Sequence, residues 1–179
     1  KVGIKILSQI NIVLCIIFLS FIFLAGPTSY ILDGLVQNLG SYVQKLLSLS
    51  TSTQGYSDSS WQNAWTLYYY SWWFAWSPFV GLFIARISYG RSIQEFLIGA
   101  VLVPTFIVFI WMGVFGNAAI YQEFIEPTSL STAINNDIAI SLFIFLEQFP
   151  FSQLIMWLAI VIILTFFVTS SDSGALVTS

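Results

Sequence analysis

Apolar residues in this chain occur in long runs separated by polar stretches, without the one-sided spacing of soluble helices throughout. A membrane-spanning helix needs about 20 mainly apolar residues, because each residue rises about 1.5 Å and the hydrocarbon layer is about 30 Å thick. The first run contains Gly26-Pro27 near its outer end, which predicts a kink. Four runs are near bilayer length and predict four spans: residues 10–32, 61–88, 92–115 and 151–168.

The segments between these runs are more polar and differ in character. In residues 33–47, leucine and valine recur at steps of three and four among glutamine, asparagine and serine, which predicts an interfacial amphipathic helix. Residues 117–150 contain acidic residues and predict a loop region with short helices over the membrane surface. Residues 169–179 continue the fourth run and predict the inner end of that span.

The composition makes lipid the expected solvent of this chain. Its 179 residues are 58% hydrophobic and only 7% charged, which leaves too little polar surface for a water-soluble fold. We therefore predict an all-α, polytopic helical membrane protein in contact with membrane lipid. The net charge is −3, so the chain offers no basic surface that would neutralise phosphates, and nucleic acid is not expected as a partner.

The sequence has few residues that perform catalysis. It contains no histidine, which removes the usual general base, and its only cysteine, Cys15, lies inside an apolar run. No predicted span contains a pair of carboxylates. These features disfavour an enzyme, and no cofactor is expected from them.

The basic residues predict how the spans are oriented. Lys1, Lys5, Arg86 and Arg91 fall on one side of the predicted membrane and only Lys45 falls on the other. Because cytoplasmic loops carry an excess of Lys and Arg, the first side is predicted to be cytoplasmic. The 117–150 region then faces outward.

The second span contains an unusual concentration of aromatic side chains. A stripe from Trp65 to Phe83 would cover about 27 Å at 1.5 Å per residue, nearly the full hydrocarbon thickness. An interfacial aromatic belt would stay at headgroup depth instead. A helical wheel places six rings in one narrow sector: Trp65, Tyr69, Trp72, Trp76, Phe79 and Phe83.

Two interpretations of the stripe remain open from the residues alone. One is ordinary packing between helices, since aromatic burial is a common source of packing energy. The other is an aromatic box for a quaternary ammonium, which has no N–H to donate and is attracted to ring faces by about 2 kcal/mol per desolvated contact. Pro78, four residues after Phe74, is expected to free the Phe74 carbonyl, as in the interrupted helices of transporter sites.

Hydroxyl groups cluster at the inner end of the fourth span. Thr169, Ser170 and Ser173 share a helical face with Phe166, and clustered oxygens suit a hard cation such as sodium. The alternative is that these hydroxyls bond their own helix backbone. Asp172 and Glu147 offer a third possibility, because a carboxyl near a span can relay protons.

The second span and the turn after it contain a long motif, Trp72-Trp73-Phe74-Ala75-Trp76-Ser77-Pro78-Phe79-Val80-Gly81, followed by Ala85-Arg86-Ile87-Ser88 and Gly90-Arg91-Ser92-Ile93. This motif resembles the signature of the betaine–choline–carnitine transporter family. The tryptophan spacing is unusual, and the order of the surrounding spans also fits the family.

The resemblance implies an architecture and a set of site residues. The family has twelve spanning helices around an inverted-repeat core of the amino-acid/sodium symporter type, and this chain resembles helices seven to ten, as a fragment of a longer protein. Trp72, Trp73 and Trp76 match the tryptophan box, with Trp73 most directly under the trimethylammonium group. The residues that match sodium sites of sodium-coupled members are Phe79, Phe166, Thr169 and Ser170.

The function implied is secondary active transport of choline or glycine betaine through the cell (inner) membrane by ion-coupled alternating access, with a homotrimer as the expected assembly. Sodium and proton coupling both remain open at this point. Two alternatives also stay open, namely a sodium-independent carnitine/betaine exchanger and a scaffold that transports nothing. The known exchangers replace the Phe79-Val80 pair with glutamine and methionine, which this chain does not.

Overall fold

The computed structural model describes residues 2–56, 60–125 and 130–178, except the side chains at positions 2, 4, 133, 172, 173 and 176–178. Those ranges are almost entirely helical and contain no strand, which confirms the predicted all-α, polytopic class. The α-helices are α1 (Val2–Ala25), α2 (Thr28–Thr51), α3 (Tyr68–Ile87), α4 (Ile93–Leu97), α5 (Val103–Phe124), α6 (Leu130–Asn136), α7 (Ser141–Glu147) and α8 (Ser152–Thr178). Two π-helical segments, Gln62–Leu67 and Ile98–Leu102, lead into α3 and α5, and a 3₁₀ turn, Ile138–Ile140, precedes α7.

The first predicted span, residues 10–32, does not form one continuous helix. Helix α1 stops at Ala25, and residues 28–32 belong to the separate helix α2 rather than to a kinked continuation. Pro27 disfavours helical backbone at Gly26, and a Cβ built on Gly26 would lie only 2.6 Å from the carbonyl oxygen of Ile22. The Thr28 hydroxyl donates to the Phe23 carbonyl at 2.7 Å, which fixes the start of α2.

Three helices of the described residues are long and apolar enough to cross a bilayer. They are Lys5–Ala25, Ile93–Phe124 and Ser152–Ser171, with mean hydropathies of 2.5, 2.4 and 2.4. The helix Ile93–Phe124 continues nine residues beyond the end of the predicted span 92–115. The predicted span 61–88 is not among them because its many Trp and Tyr side chains lower the mean hydropathy, although α3 alone has 20 residues. Its crossing of the membrane stays a prediction.

The described residues also place the amphipathic and polar segments. Helix α2 contains all of the predicted amphipathic segment 33–47, and its position at a membrane surface stays a prediction. Residues 117–124 belong to α5, whereas the remainder of the 117–150 region includes the short helices α6 and α7. Helix α8 extends the predicted span 151–168 without a break to Thr178.

The chain divides into two compact units. Unit 1 comprises residues 1–38 and 105–172, and unit 2 comprises residues 39–104 and 173–179. Unit 1 has a hydrophobic core in which Ile22, Ile31 and Leu146 are completely buried. Unit 2 is different, because α3, every residue of which the structure describes, contains no buried side chain.

A small-residue contact packs α2 against α5 within unit 1. The backbone at Gly34 approaches the side chain of Asn117 so closely that a Cβ at position 34 would collide with it. Asn117 is buried, and its Nδ2 donates to the Gly113 carbonyl at 2.7 Å while its Oδ1 accepts from Nδ2 of Asn38 at 3.5 Å. A buried amide that is bonded in this way holds two helices together at one register.

Candidate functional site

The aromatic side chains of the second predicted span form a line of ring contacts along α3 and the π-helical segment before it. Trp65 stacks on Tyr69 with ring centroids 6.0 Å apart, and Tyr69 lies 5.9 Å from Trp72. The line continues edge-to-face from Trp72 to Trp76 at 6.3 Å and from Trp76 to Phe79 at 5.3 Å. These contacts agree with the stripe predicted from helical spacing, while its role in binding stays a prediction.

The three tryptophans predicted to bind the solute remain accessible in this chain. The exposed fractions of Trp72, Trp73 and Trp76 are 45%, 63% and 50%. Trp73 lies to the side of the stripe, where its ring contacts Tyr70 at 6.0 Å. Adjacent helical residues point about 100° apart, so Trp72 and Trp73 widen one surface rather than facing each other. The three rings therefore lie on an exposed surface of α3, and their role as a wall of a solute site stays a prediction.

Pro78 does not interrupt α3 as expected. The helix runs from Tyr68 through Pro78 to Ile87, and the Ser77 hydroxyl donates to the Phe74 carbonyl at 3.0 Å. Pro78 has no N–H to donate to that carbonyl, and the neighbouring Ser77 hydroxyl takes its place. The expectation of a carbonyl left open toward a ligand is therefore wrong in this structure.

The residues predicted for sodium binding fall in both units. Phe166, Thr169 and Ser170 belong to unit 1, and Phe79 belongs to unit 2. The Thr169 hydroxyl lies 3.1 Å from the Thr165 carbonyl and 3.0 Å from the Phe166 carbonyl. It therefore bonds its own helix, which is the alternative raised from the sequence. A role of this hydroxyl in sodium binding stays a prediction.

Phe79 lies close to the last turns of α8 within unit 2. A Cβ built on Gly174 would lie 3.9 Å from Cζ of the Phe79 ring. The side chains of the neighbouring Asp172 and Ser173 lie outside the described residues, so their predicted roles as proton relay and hydroxyl ligand stay predictions. Glu147, the other carboxyl considered for proton transfer, is exposed at the end of α7.

Sequence reasoning missed a polar contact between α1 and α8. Asn11 is buried, and its Oδ1 accepts a hydrogen bond from the Thr165 hydroxyl at 3.0 Å. Thr165 is an isolated polar position inside a strongly apolar run, and that signal can identify a functional or packing contact between membrane helices. Asn11 follows Ser8 and Gln9 at the start of the first apolar run, where its burial is less evident from the sequence.

The long apolar helices and the accessible aromatic surface define a multi-pass helical membrane protein. The family model described as "BCCT, betaine/carnitine/choline family transporter" matches residues 1–179. The chain therefore belongs to the betaine/carnitine/choline transporter family, which is a family of transporters and not of enzymes.

Named relatives from three bacteria agree with this assignment. The glycine betaine transporter of Acinetobacter baylyi is 44% identical over 176 residues, which is 98% of this chain and 27% of the relative. The ectoine/hydroxyectoine transporter of Virgibacillus pantothenticus is 42% identical over 96% of this chain and 34% of the relative. A glycine betaine/proline/choline transporter of Vibrio parahaemolyticus is 39% identical over 98% of this chain and 31% of the relative. The chain thus spans about a third or less of the length of these relatives.

Proposed function

We propose that the full-length protein imports a quaternary-ammonium solute, glycine betaine or choline, by ion-coupled alternating access. The observation that carries this proposal is the line of ring contacts from Trp65 to Phe79, on a helix without a single buried side chain. The names of relatives that transport glycine betaine and choline support it. We place the protein in the cell (inner) membrane, where uptake of such solutes would serve osmoprotection.

The chemistry of the solute explains why an aromatic surface suits it. A trimethylammonium group carries a full charge but offers no hydrogen-bond donor, so its recognition depends on ring faces within about 6 Å of the cation. Trp72, Trp73 and Trp76 present such faces and remain accessible. Because no full negative charge holds the cation, it can also leave the site again, as each transport cycle requires.

A second solute class is supported by one relative. The Virgibacillus protein is named as a transporter of ectoine and hydroxyectoine, whose charge is spread over a ring amidinium. Such a cation is also weakly hydrated and is attracted to a tryptophan face. The same wall on α3 could therefore hold ectoine, and residues that contact the other end of the solute would decide between the two.

We propose that the inner end of α8 binds the coupling ion. The Phe166 carbonyl, the Thr169 hydroxyl and the exposed Ser170 supply neutral oxygens suited to sodium. Phe79 is included only because it matches a sodium-site residue of the family. A proton carried by Glu147 or Asp172 is the competing coupling ion, and a homotrimer is the proposed assembly.

Solute exchange by the purified full-length protein tests the function. Proteoliposomes loaded with unlabelled glycine betaine, choline, ectoine or carnitine would be diluted into the labelled solute, with sodium or potassium as the only cation. We expect counterflow of glycine betaine or choline and its loss in potassium. Protein-free liposomes serve as the control.

Each other outcome of this assay points to a specific alternative. Exchange of carnitine and betaine that is equal in sodium and potassium would indicate the sodium-independent exchanger. Sodium-independent uptake that follows a pH gradient would indicate proton coupling. The absence of exchange of all four solutes would indicate a scaffold and contradict the proposal.

A further inference from the structure

Asn11 is a buried polar residue in the most apolar part of unit 1. It is 5% exposed and lies in α1, within the candidate span Lys5–Ala25. Burying an amide away from water is costly unless a hydrogen bond compensates, so such residues in spans usually face a partner helix. Its partner is the Thr165 hydroxyl on α8, 3.0 Å from Oδ1, with the Cys15 thiol at 4.0 Å as a weaker contact.

The Thr165 hydroxyl has three acceptors within reach but only one proton. Besides Asn11 it lies 2.8 Å from the Val161 carbonyl and 3.0 Å from the Ile162 carbonyl of its own helix. A hydroxyl donates one hydrogen bond at a time. Thr165 therefore has two alternative arrangements, one that ties α8 to α1 and one that leaves α8 bonded only to itself.

Thr165 also lies one helical turn before the residues proposed to bind the coupling ion. Its carbonyl accepts from the Thr169 hydroxyl at 3.1 Å. A chain of contacts thus leads from the amide of Asn11 through Thr165 to Thr169, entirely within unit 1. Because Thr165 and Thr169 lie on one continuous helix, a rotation of α8 at Thr165 also turns the Thr169 oxygen.

We infer that Asn11 is a positioning residue for the ion-binding turn of α8, acting through the Thr165 hydroxyl rather than by touching the ion. The hydrogen bond fixes the rotation of α8 against α1, and this rotation aims the oxygens of Thr169 and Ser170. The inference rests on the proposed function, because it assigns those oxygens to a coupling ion.

The first test measures sodium dependence in the full-length protein. Asn11→Leu keeps the branched shape of the side chain, although leucine is larger, and removes the acceptor. Thr165→Val removes the donor and keeps the side-chain shape. We expect either change to raise the half-saturating sodium concentration for uptake by about three- to tenfold, with the apparent solute affinity at saturating sodium unchanged. Thr165→Ser retains the hydroxyl and should stay within about twofold of wild type, as should Cys15→Ala.

The double variant Asn11→Leu with Thr165→Val distinguishes the loss of one specific hydrogen bond from a general loss of helix packing. If the two residues act through one hydrogen bond, Asn11→Leu together with Thr165→Val should raise the sodium requirement no more than either change alone. Additive effects, or an unchanged sodium requirement in both single variants, would overturn the inference. If Asn11→Leu does not fold, Thr165→Val compared with Thr165→Ser decides the question.

A second readout does not depend on sodium. All native cysteines, including Cys15, would first be replaced by alanine, and Thr169→Cys would then introduce a single thiol. The rate at which N-ethylmaleimide alkylates this thiol would be compared between proteins that carry Asn11 and proteins that carry Asn11→Leu. We expect the rate to change at least threefold. If uptake by the wild-type protein did not depend on sodium, the assignment of the ion site would be refuted, but the positioning role of Asn11 would still be tested by the alkylation rate. An alkylation rate that Asn11→Leu leaves unchanged would overturn the positioning role.

Discussion

Helix α3 and the core of unit 1 use their apolar residues in opposite ways. In unit 1, Ile22, Ile31 and Leu146 are completely buried, and buried amides such as Asn117 bond across helices. In α3 no side chain is buried, and the Ser77 hydroxyl bonds its own helix. Packing residues thus find their partners inside this chain, whereas the tryptophans of α3 stay available for a solute or for other helices.

The largest effect expected from this contrast is on the stability of unit 1. Leu146 is completely buried at the end of α7, so Leu146→Ala should lower the free energy of unfolding by about 2–5 kcal/mol. Thermal unfolding of the full-length protein in detergent measures this change. Leu154→Ala, at a position 65% exposed on α8, is the matched control and should cost clearly less. If both variants lowered the free energy of unfolding equally, the exposed fraction of a side chain in this structure would not identify the residues that stabilise the fold.

A smaller effect is expected at the contact between α2 and α5. Gly34→Ala places a methyl group against the buried Asn117 side chain and should destabilise by about 1–3 kcal/mol. Gly40→Ala, on the same helix with no atom within 4 Å of the added Cβ, should instead stabilise by up to about 1 kcal/mol. Melting temperatures of the two variants should therefore move in opposite directions. A shift of the same sign and size in both would contradict the packing described for Gly34.

The smallest effect is expected within α3. Ser77→Ala removes the donor that replaces the missing N–H of Pro78 and should cost about 0.5–1.5 kcal/mol of stability. Ser71→Ala, at another exposed serine of α3, controls for the loss of a hydroxyl. Thermal unfolding again provides the measurement. If the two variants melted at the same temperature, the Ser77 hydroxyl would not compensate for the proline.

The sequence predicted the features that depend on short-range periodicity. The stripe from Trp65 to Phe79 follows from helical spacing alone, and its ring contacts agree with that spacing. The break at Gly26-Pro27 was interpreted as a kink, because sequence does not show that Thr28 bonds back to Phe23 and begins a new helix. Proline is compatible with both outcomes.

Contacts between helices that are far apart in the chain could not be predicted from the sequence. The bond from Thr165 to Asn11 joins residues 154 positions apart, and nothing in either apolar run identifies the partner. Ser77 satisfying the Phe74 carbonyl was also missed, since a serine beside a proline is equally consistent with a hydroxyl that faces elsewhere. The line of aromatic ring contacts could be predicted from sequence, and the polar contacts between distant helices could not.

Binding of glycine betaine and choline to the full-length protein at saturating sodium tests the central claim most directly. Trp73→Leu should weaken binding at least tenfold, because the loss of one desolvated cation–π contact corresponds to about 1.4 kcal/mol or more. Phe74→Leu removes a neighbouring ring that is 76% exposed on the same helix, and should change binding less than about twofold. Trp73→Leu that binds both solutes as tightly as wild type would contradict the assignment of this surface as the binding wall.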